Sequence, residues 1–558
     1  MPTITIDGVA CDFEPGQTIL QVANDHGIKI PQYCYHDAMS IVASCRICLA
    51  EVWAPNPRND GKPEAIPKLL PTCQSPAVDG QIVYTDSPKA VANQKAVMEY
   101  LLINHPLDCA VCDQAGECDL QDYSYQYGRG VSRFEETKVK QPKKDVGPNV
   151  LLYADRCIMC TRCVRFTREV TGTGELIVEG RGNQEQIDTF PGKALDNPLA
   201  SNVIDLCPVG ALLDKDFLFE KRVWDLTPVP SIDPITSSGD NLYVDVADDR
   251  IYRVRPRENM DVNKWWITDE VRYGWKFVHD EKRLAQPLRR RGEDLVTTEW
   301  PRAISQAVEE MRKALEGGRR LAVMISPMLS CEDAGALAAA GLALDPQAVF
   351  AVGPVPVSGE DRAYPPGVGE DDPKRFVIRA EKAPNARGVR RVLEAMSDGD
   401  VLDFSGFVSR ATSGDVGAAL VTGGYPSEWA TRELDAALGR DGLCVVLVDL
   451  LLSPLVKRAE VVLAGASWAE KAGVFENAGG RLQAFEQAIR PVGESRSEGQ
   501  IGLDLLAEIQ DAKRTVFNAA TIRSQLAERA PALSVLTTDV AFPVRPELRD
   551  PDMELVEL

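Results

Sequence analysis

Arg156-Cys157-Ile-Met-Cys160-Thr-Arg-Cys163-Val-Arg-Phe166, answered downstream by Val203-Ile-Asp-Leu-Cys207-Pro208-Val-Gly210, decides how the first part of this chain folds. Three thiolates at intervals of three residues can wrap one cuboidal cluster corner by corner, and a remote Cys-Pro can close the fourth iron. Only one such run occurs, so the stretch predicts a single [4Fe–4S] cluster on Cys157, Cys160, Cys163 and Cys207. The competing reading is a structural Cys₄ zinc site. Zinc ribbons usually pair two CxxC units, which this run does not do.

Outward from that run, cysteine stays dense. Twelve of the 14 cysteines lie in the first 207 of 558 residues. In a reducing compartment such crowding points to metal ligation rather than to disulfides. His105-Pro-Leu-Asp-Cys109-Ala-Val-Cys112, followed by Cys118, offers three thiolates and one imidazole. That donor set suits a [4Fe–4S] cluster with histidine at one iron, or a zinc Cys₃His site; spacing alone leaves both open. Cys34, Cys45, Cys48 and Cys73 form a Cys-x₁₀-Cys-x₂-Cys pattern with a remote fourth cysteine, a lengthened relative of the spacing that holds a [2Fe–2S] cluster. Ahead of it, Thr3–Ile6 and Val9–Phe13 alternate around Asp7-Gly8, a hairpin signal, and Thr18–Asp25 reads as a short helix. This opening suits a β-grasp, ferredoxin-like domain. Cys11 falls outside any ligand spacing and reads as a packed thiol.

Composition narrows the function classes. The chain carries 62 Lys+Arg against 83 Asp+Glu, a formal net charge of −21, which argues against a nucleic-acid partner. A hydrophobic fraction of 44% supports packed cores. No run approaches the roughly 20 apolar residues of a membrane span. The N-terminus lacks the basic-then-apolar layout of a signal peptide. The expectation is a cytosolic protein, or one that meets a membrane only through partners.

The first 220 residues closely resemble the large iron–sulfur subunit of NADH:quinone oxidoreductase, respiratory complex I. The matching blocks are Cys45-Arg-Ile-Cys48, Asn104-His105 through Cys118-Asp-Leu-Gln121, Arg156–Phe166 and Val203–Leu212. The resemblance implies a [2Fe–2S] cluster on Cys34, Cys45, Cys48 and Cys73. It implies one [4Fe–4S] cluster on His105, Cys109, Cys112 and Cys118, and another on Cys157, Cys160, Cys163 and Cys207. It also implies a peripheral-arm location on the cytoplasmic side of a bacterial inner membrane.

Beyond residue 220 the chain resembles a degenerate molybdopterin oxidoreductase. Some family members hold a further cluster at its start. The corresponding positions here are Asp233, Thr236, Asp240 and Thr268, none a thiolate, so no cluster is expected there. Cys331 and Cys444 read as packed thiols, and no molybdopterin, NAD or flavin is expected on this chain. Pro301–Leu315 predicts an amphipathic helix, and Arg320–Ser326, Ala418–Thr422 and Leu443–Asp449 predict buried parallel strands. Ala334–Ala340 reads as a small-residue helix, residues 353–375 as a loop or surface excursion, and Lys138, Lys140, Lys143 and Lys144 as a solvated linker. Gly172-Thr-Gly174 fails the dinucleotide fingerprint, and no P-loop occurs.

The expected fold class is multidomain, α+β and α/β. The expected domains are 1–80 (β-grasp, [2Fe–2S]), 81–147 (His–Cys₃ segment), 148–222 (bacterial-ferredoxin-like), 223–285 (molybdopterin-oxidoreductase N-terminal-like) and 286–558 (degenerate α/β). No nucleophile or acid–base pair emerges. The resemblance implies a non-catalytic, electron-carrying subunit of an oxidoreductase. Electrons would arrive from the NADH- and FMN-binding subunit at the [2Fe–2S] cluster. They would cross the Cys157 set, then the His105 set, and leave towards the quinone-proximal iron–sulfur subunits. NAD-linked hydrogenases and formate dehydrogenases share such N-terminal modules, but each needs further cysteines that residues 208–558 do not supply.

Overall fold

The computed structural model describes residues 1–397 and 400–544. The chain divides into two compact units: Met1–Leu226 together with Tyr364–Lys374, and Thr227–Ala363 together with the described residues from Arg375 onward.

The first unit opens with the anticipated hairpin. Thr3–Ile6 pairs antiparallel with Val9–Asp12, Ile4 opposite Cys11. The turn is made by Asp7 and Gly8, both at positive φ (47° and 86°), which matches the right-handed strand twist. Alternation buries Ile4, Ile6 and Cys11 against helix Ile19–Asp25. Burying each isoleucine contributes about 1.5–3 kcal/mol. The helix begins with a reciprocal cap in which Thr18 and Gln21 each bond the other's backbone N–H. The sheet runs in the order Val9–Asp12, Thr3–Ile6, Ile82–Tyr84, Leu49–Pro55, Pro63–Ala65. Strand Ile82–Tyr84 runs parallel to Thr5–Ile6, so this domain extends past the boundary expected at residue 80.

Helices Pro88–Leu102 and Asp119–Tyr127 follow, then a three-stranded sheet of Lys143–Asp145, Val150–Tyr153 and Leu212–Asp214. The lysine run is only in part a solvated linker: Lys140 is exposed and outside any helix or strand, while others are engaged. Lys138 Nζ donates to the carbonyls of Leu102 (2.8 Å) and Ile103 (2.7 Å), which a helix end leaves unpaired. Lys143 begins a strand and sits 4.4 Å over the Tyr153 ring, and Lys144 pairs with Asp188.

Residues 353–375 are mostly exposed, as a surface excursion would be, but they are not wholly free. They include strand Arg362–Tyr364, and Tyr364–Lys374 belongs to the first unit. Tyr364 is buried, and Pro366 lies so close to Gly172 that a Cβ there would stand 2.9 Å from its Cγ. A Pro- and Gly-rich composition suits a chain held by such close backbone contacts as well as it suits a free loop.

The second unit begins with an antiparallel sheet of Thr227–Ile232, Asn241–Ala247 and Arg250–Pro256. A seven-stranded sheet follows, in the order Asp294–Thr297, Leu288–Arg291, Val461–Ala464, Cys444–Asp449, Val416–Thr422, Arg320–Ile325, Val349–Val352. Its last five strands are parallel, as the continuous apolar runs predict. Helix Trp300–Ala314 buries Ile304, Ala307, Val308 and Met311. Helix Cys331–Leu344 meets helix Glu498–Gln510 at small residues, where a Cβ on Gly502 would stand 2.7 Å from the Ala336 backbone. Cys331 and Cys444 are both buried in this core.

Candidate iron–sulfur centres

Cys34, Cys45 and Cys48 lie on a segment, residues 28–48, without helix or strand, and Cys73 lies in the turn after strand Leu70–Pro71. The loop curls through two non-glycine residues at positive φ, Ala43 (49°) and Arg46 (59°), a conformation that surrounding structure must impose. Cys34, Cys48 and Cys73 are buried. The thiols meet in pairs. A hydrogen bond from Cys45 draws the Cys34 thiol down to about 5, and one from Cys73 draws Cys48 down to about 6, while both donors are pushed up. Four sulfurs thus gather from two distant stretches.

The Cys157 set is built the same way. Met159 (52°) and Thr161 (59°) flank Cys160 at positive φ, and the Met159 N–H donates to Cys157 Sγ at 3.3 Å. Cys163 lies in the helical turn Arg162–Arg165, and Cys207 ends the helix Asn202–Leu206, where Pro208 prevents its continuation. All four cysteines line one cavity with Leu152, Ile158, Ile187, Val209, Ala211 and Leu212. Burial in these apolar walls raises every thiol of the set, Cys207 to about 11.

His105, Cys109, Cys112 and Cys118 line a second cavity, with Asp108, Gln121, Arg156 and Gly210. His105 Nδ1 is buried and has no hydrogen-bond partner. Burial, with the Arg156 charge second, pushes this imidazole down to about 4, so it is neutral and keeps a lone pair. Burial lifts Cys118 to about 12. Gly210 has no substitute here, since a Cβ at that position would stand 2.2 Å from Cys112 Sγ. Arg156 is buried, donates to Asp108 (2.9 Å) and to the Gly210 carbonyl (3.5 Å), and stacks 4.1 Å over Tyr153. Cys109 is the exposed member of the set. Among the described residues no three His, Cys, Asp or Glu side chains close around a single metal ion. The second and third sets surround cavities instead.

One apolar cluster contains members of all three sets: Cys34, Cys118 and Cys160 are buried in it, with Cys45, Cys157 and Cys207 packed against it. The Cys157 set touches both of the others. The Cys118 thiol approaches the Pro208 carbonyl at 3.8 Å, and Arg165 bonds the Cys34 carbonyl.

The structure therefore pairs Cys34 with Cys45 and Cys48 with Cys73, and places each of the other two anticipated sets around a cavity. Arg156, Arg165, Gly210 and the half-buried His36, whose Nδ1 accepts from the Ala38 N–H at 3.1 Å, went unanticipated. The available signal was their position within or beside the cysteine runs.

Four successive stretches match families of one kind: a 2Fe-2S iron-sulfur cluster binding domain (residues 1–88), the NADH-ubiquinone oxidoreductase-G iron-sulfur binding region (94–133), the NADH-quinone oxidoreductase subunit 3 ferredoxin-like domain (147–213) and the NDSU1/NuoG-like 4Fe-4S domain (226–276). Over this region the chain is similar to the large iron–sulfur subunit of NADH-quinone oxidoreductase. Residues 403–508 match molybdopterin oxidoreductase. The NADH-ubiquinone oxidoreductase 75 kDa subunit of Reclinomonas americana is 38% identical over 60% of this chain and 46% of its own length. The mitochondrial 78 kDa subunit of Candida albicans is 42% identical over 54% and 41%. The mitochondrial NADH dehydrogenase [ubiquinone] iron-sulfur protein 1 of Solanum tuberosum is 40% identical over 56% and 40%. Each alignment thus spans less than half of the relative. A solved chain of an NAD+-reducing [NiFe]-hydrogenase is 30% identical, with a TM-score of 0.33, over 40% of this chain and 91% of its own.

The 4Fe-4S domain match at residues 226–276 includes no cysteine. The Asp233 carboxylate accepts from the Ile235 N–H (2.8 Å), the Thr236 N–H (3.1 Å) and the Thr236 hydroxyl. Thr268 caps helix Asp269–Tyr273, and Asp240 is buried beside Asp233. Asp233 and Thr236 satisfy each other and Thr268 is spent on its helix, so these side chains, none a thiolate, do not fit a cluster. Nor do the two remaining cysteines fit a molybdenum centre: Cys331 Sγ packs on Asn385 at 3.6–3.7 Å, and Cys444 begins an inner strand.

Proposed function

We propose that this chain is the electron-conducting subunit of an NADH:quinone oxidoreductase. It would hold a [2Fe–2S] cluster on Cys34, Cys45, Cys48 and Cys73, and two [4Fe–4S] clusters, on His105, Cys109, Cys112 and Cys118 and on Cys157, Cys160, Cys163 and Cys207. The observation that carries this reading is the single apolar cluster to which all three donor sets contribute cysteines. When bound, such clusters exchange single electrons without binding substrate. The chain's own residues supply position, dryness and charge. Val209, Ala211 and Leu212 exclude water from the Cys157 set, and neutral His105 would leave its cluster one negative charge short of an all-thiolate site.

In this reading electrons enter at the Cys34 set, from an NADH- and FMN-binding subunit. They leave by the His105 set towards quinone-proximal iron–sulfur subunits. Exposed Cys109 lies between two exposed apolar residues, Leu107 and Val111, which suits an exit covered by a partner. Among the described residues no helix is long and apolar enough to cross a membrane. Placement in a peripheral arm on the cytoplasmic face, touching the membrane through partners only, follows from the reading.

Iron and acid-labile sulfide analysis tests it, with EPR spectra after dithionite reduction. About ten irons per chain and three separable signals are expected; stoichiometric zinc without brown absorbance would overturn it. His105→Cys should keep the iron and lower the midpoint of one [4Fe–4S] signal. Unchanged midpoints would remove His105 from the ligands.

A further inference from the structure

Arg165 stands two residues past Cys163 and is only 8% exposed. Its Nη2 donates to the Cys34 carbonyl and, at 3.4 Å, to the Cys160 carbonyl; its Nη1 donates to the Ser40 carbonyl at 2.7 Å. Glu169, one turn further on, accepts from Ser40 N (2.7 Å) and Ser40 Oγ (2.5 Å). The loop bearing Cys34 is thereby fastened to the turn bearing Cys160 and Cys163, and one guanidinium touches the main chain of a ligand from each set.

The chemistry of that group matters. Arginine remains charged at any pH the protein meets. Its bonds go to carbonyls, and Glu169, the carboxylate whose charge acts on it, bonds Ser40 instead, so its positive charge is only partly offset. Buried, it is weakly screened by solvent or salt. A cation beside two redox sites favours the more negative, reduced state of both.

We propose that Arg165 is a positioning residue that joins the Cys34 and Cys157 sets and raises the reduction potentials of both together. The inference rests on the electron-conductor reading above. The step it serves is a one-electron exchange: one electron leaves one site and enters the other, no bond forms or breaks, and no proton moves. Joint tuning by one charge keeps the two potentials in step and so keeps that exchange close to balanced.

The test is an EPR-monitored redox titration of the full-length chain and its Arg165→Gln and Arg165→Lys variants, with iron and sulfide measured first. In Arg165→Gln, both midpoints should fall by at least the equivalent of a tenfold change in the one-electron equilibrium, about 59 mV, while the His105-set signal stays in place. Arg165→Lys keeps the charge and should hold both midpoints within a threefold change. A fully loaded Gln variant with unmoved midpoints overturns the proposal alone. A parent chain lacking the three signals overturns the conductor reading and the proposal with it. If the Gln variant loses iron, the Lys variant decides: midpoints within threefold uphold the proposal, and a fall as large as tenfold overturns it.

Discussion

In the first unit, Cys157, Cys160, Cys163 and Cys207 line a cavity, their thiols raised by apolar walls. In the second, Asp233, Thr236, Asp240 and Thr268 stand where a related domain would place donors, and Asp233 and Thr268 spend their oxygens on neighbouring N–H and O–H groups. Both regions bury polar atoms, at a cost unless those atoms find partners. The first leaves its donors for a guest, and the second satisfies them internally. The second unit extends this habit to full charges. Lys471 pairs with Asp333 (2.8 Å) and Glu498, Arg283 with Glu470 (2.7 Å) and Arg523 with Glu332 (2.5 Å), all buried. A family resemblance across both units therefore does not carry a cofactor across both.

The largest effect is expected where that internal satisfaction is broken. Lys471→Met strands Asp333 and Glu498 without their cation, and should destabilise the second unit by about 3–5 kcal/mol in urea unfolding. Iron content should not change. If iron were lost as well, the division between a unit that hosts and a unit that only packs would fail.

Gly210→Ala probes the other side. The new Cβ would meet Cys112 Sγ, and relief of such a clash costs about 1–3 kcal/mol. The expected readout is selective: the His105-set signal disappears and iron falls from about ten to about six, while the other two signals persist.

The smallest effect is expected from Asp240→Asn. Burial holds Asp233 at about 6 and Asp240 well above the ordinary carboxylate value. The native state then binds more protons than the unfolded chain between pH ~4 and those raised values. The contribution of Asp233 to stability is complete below about pH 4 and is lost as pH rises through 6, and that of Asp240 is lost in the same direction. Asp240→Asn removes one of the buried charges, so it should stabilise by on the order of 1 kcal/mol at pH 8 and change little at pH 4. Denaturant titrations at the two pH values measure the difference. An equal effect at both would mean that Asp240 carries no charge penalty.

What could be read from sequence followed how locally each feature is determined. Cluster ligation dictates residue type and spacing, so the Cys157 run spoke for itself, and Asp7-Gly8 fixed its hairpin without help. The parallel strands were legible because both of their faces are buried. Arg165 was not, because an arginine between cysteines looks the same whether it points to water or to two distant carbonyls. Gly210 is required by a sulfur almost one hundred residues earlier. Lys138 caps a helix whose end no nearby pattern announces. The segment 364–374 has the composition and the exposure of a loop, yet it buries Tyr364 and sets Pro366 against Gly172, which no local pattern reveals.

That segment also sets a timetable. The ribosome completes all three donor sets by Cys207, yet the piece that packs against Gly172 emerges only after more than 150 further residues, most of them belonging to the other unit. The first unit therefore cannot finish folding in the order in which it is made. A truncation at Leu226, however tidy it looks on a domain map, would produce the cysteines without Tyr364 and Pro366, leaving the Gly172 turn bare. Dissecting the cysteine-rich part of this protein requires a polypeptide that reaches Lys374.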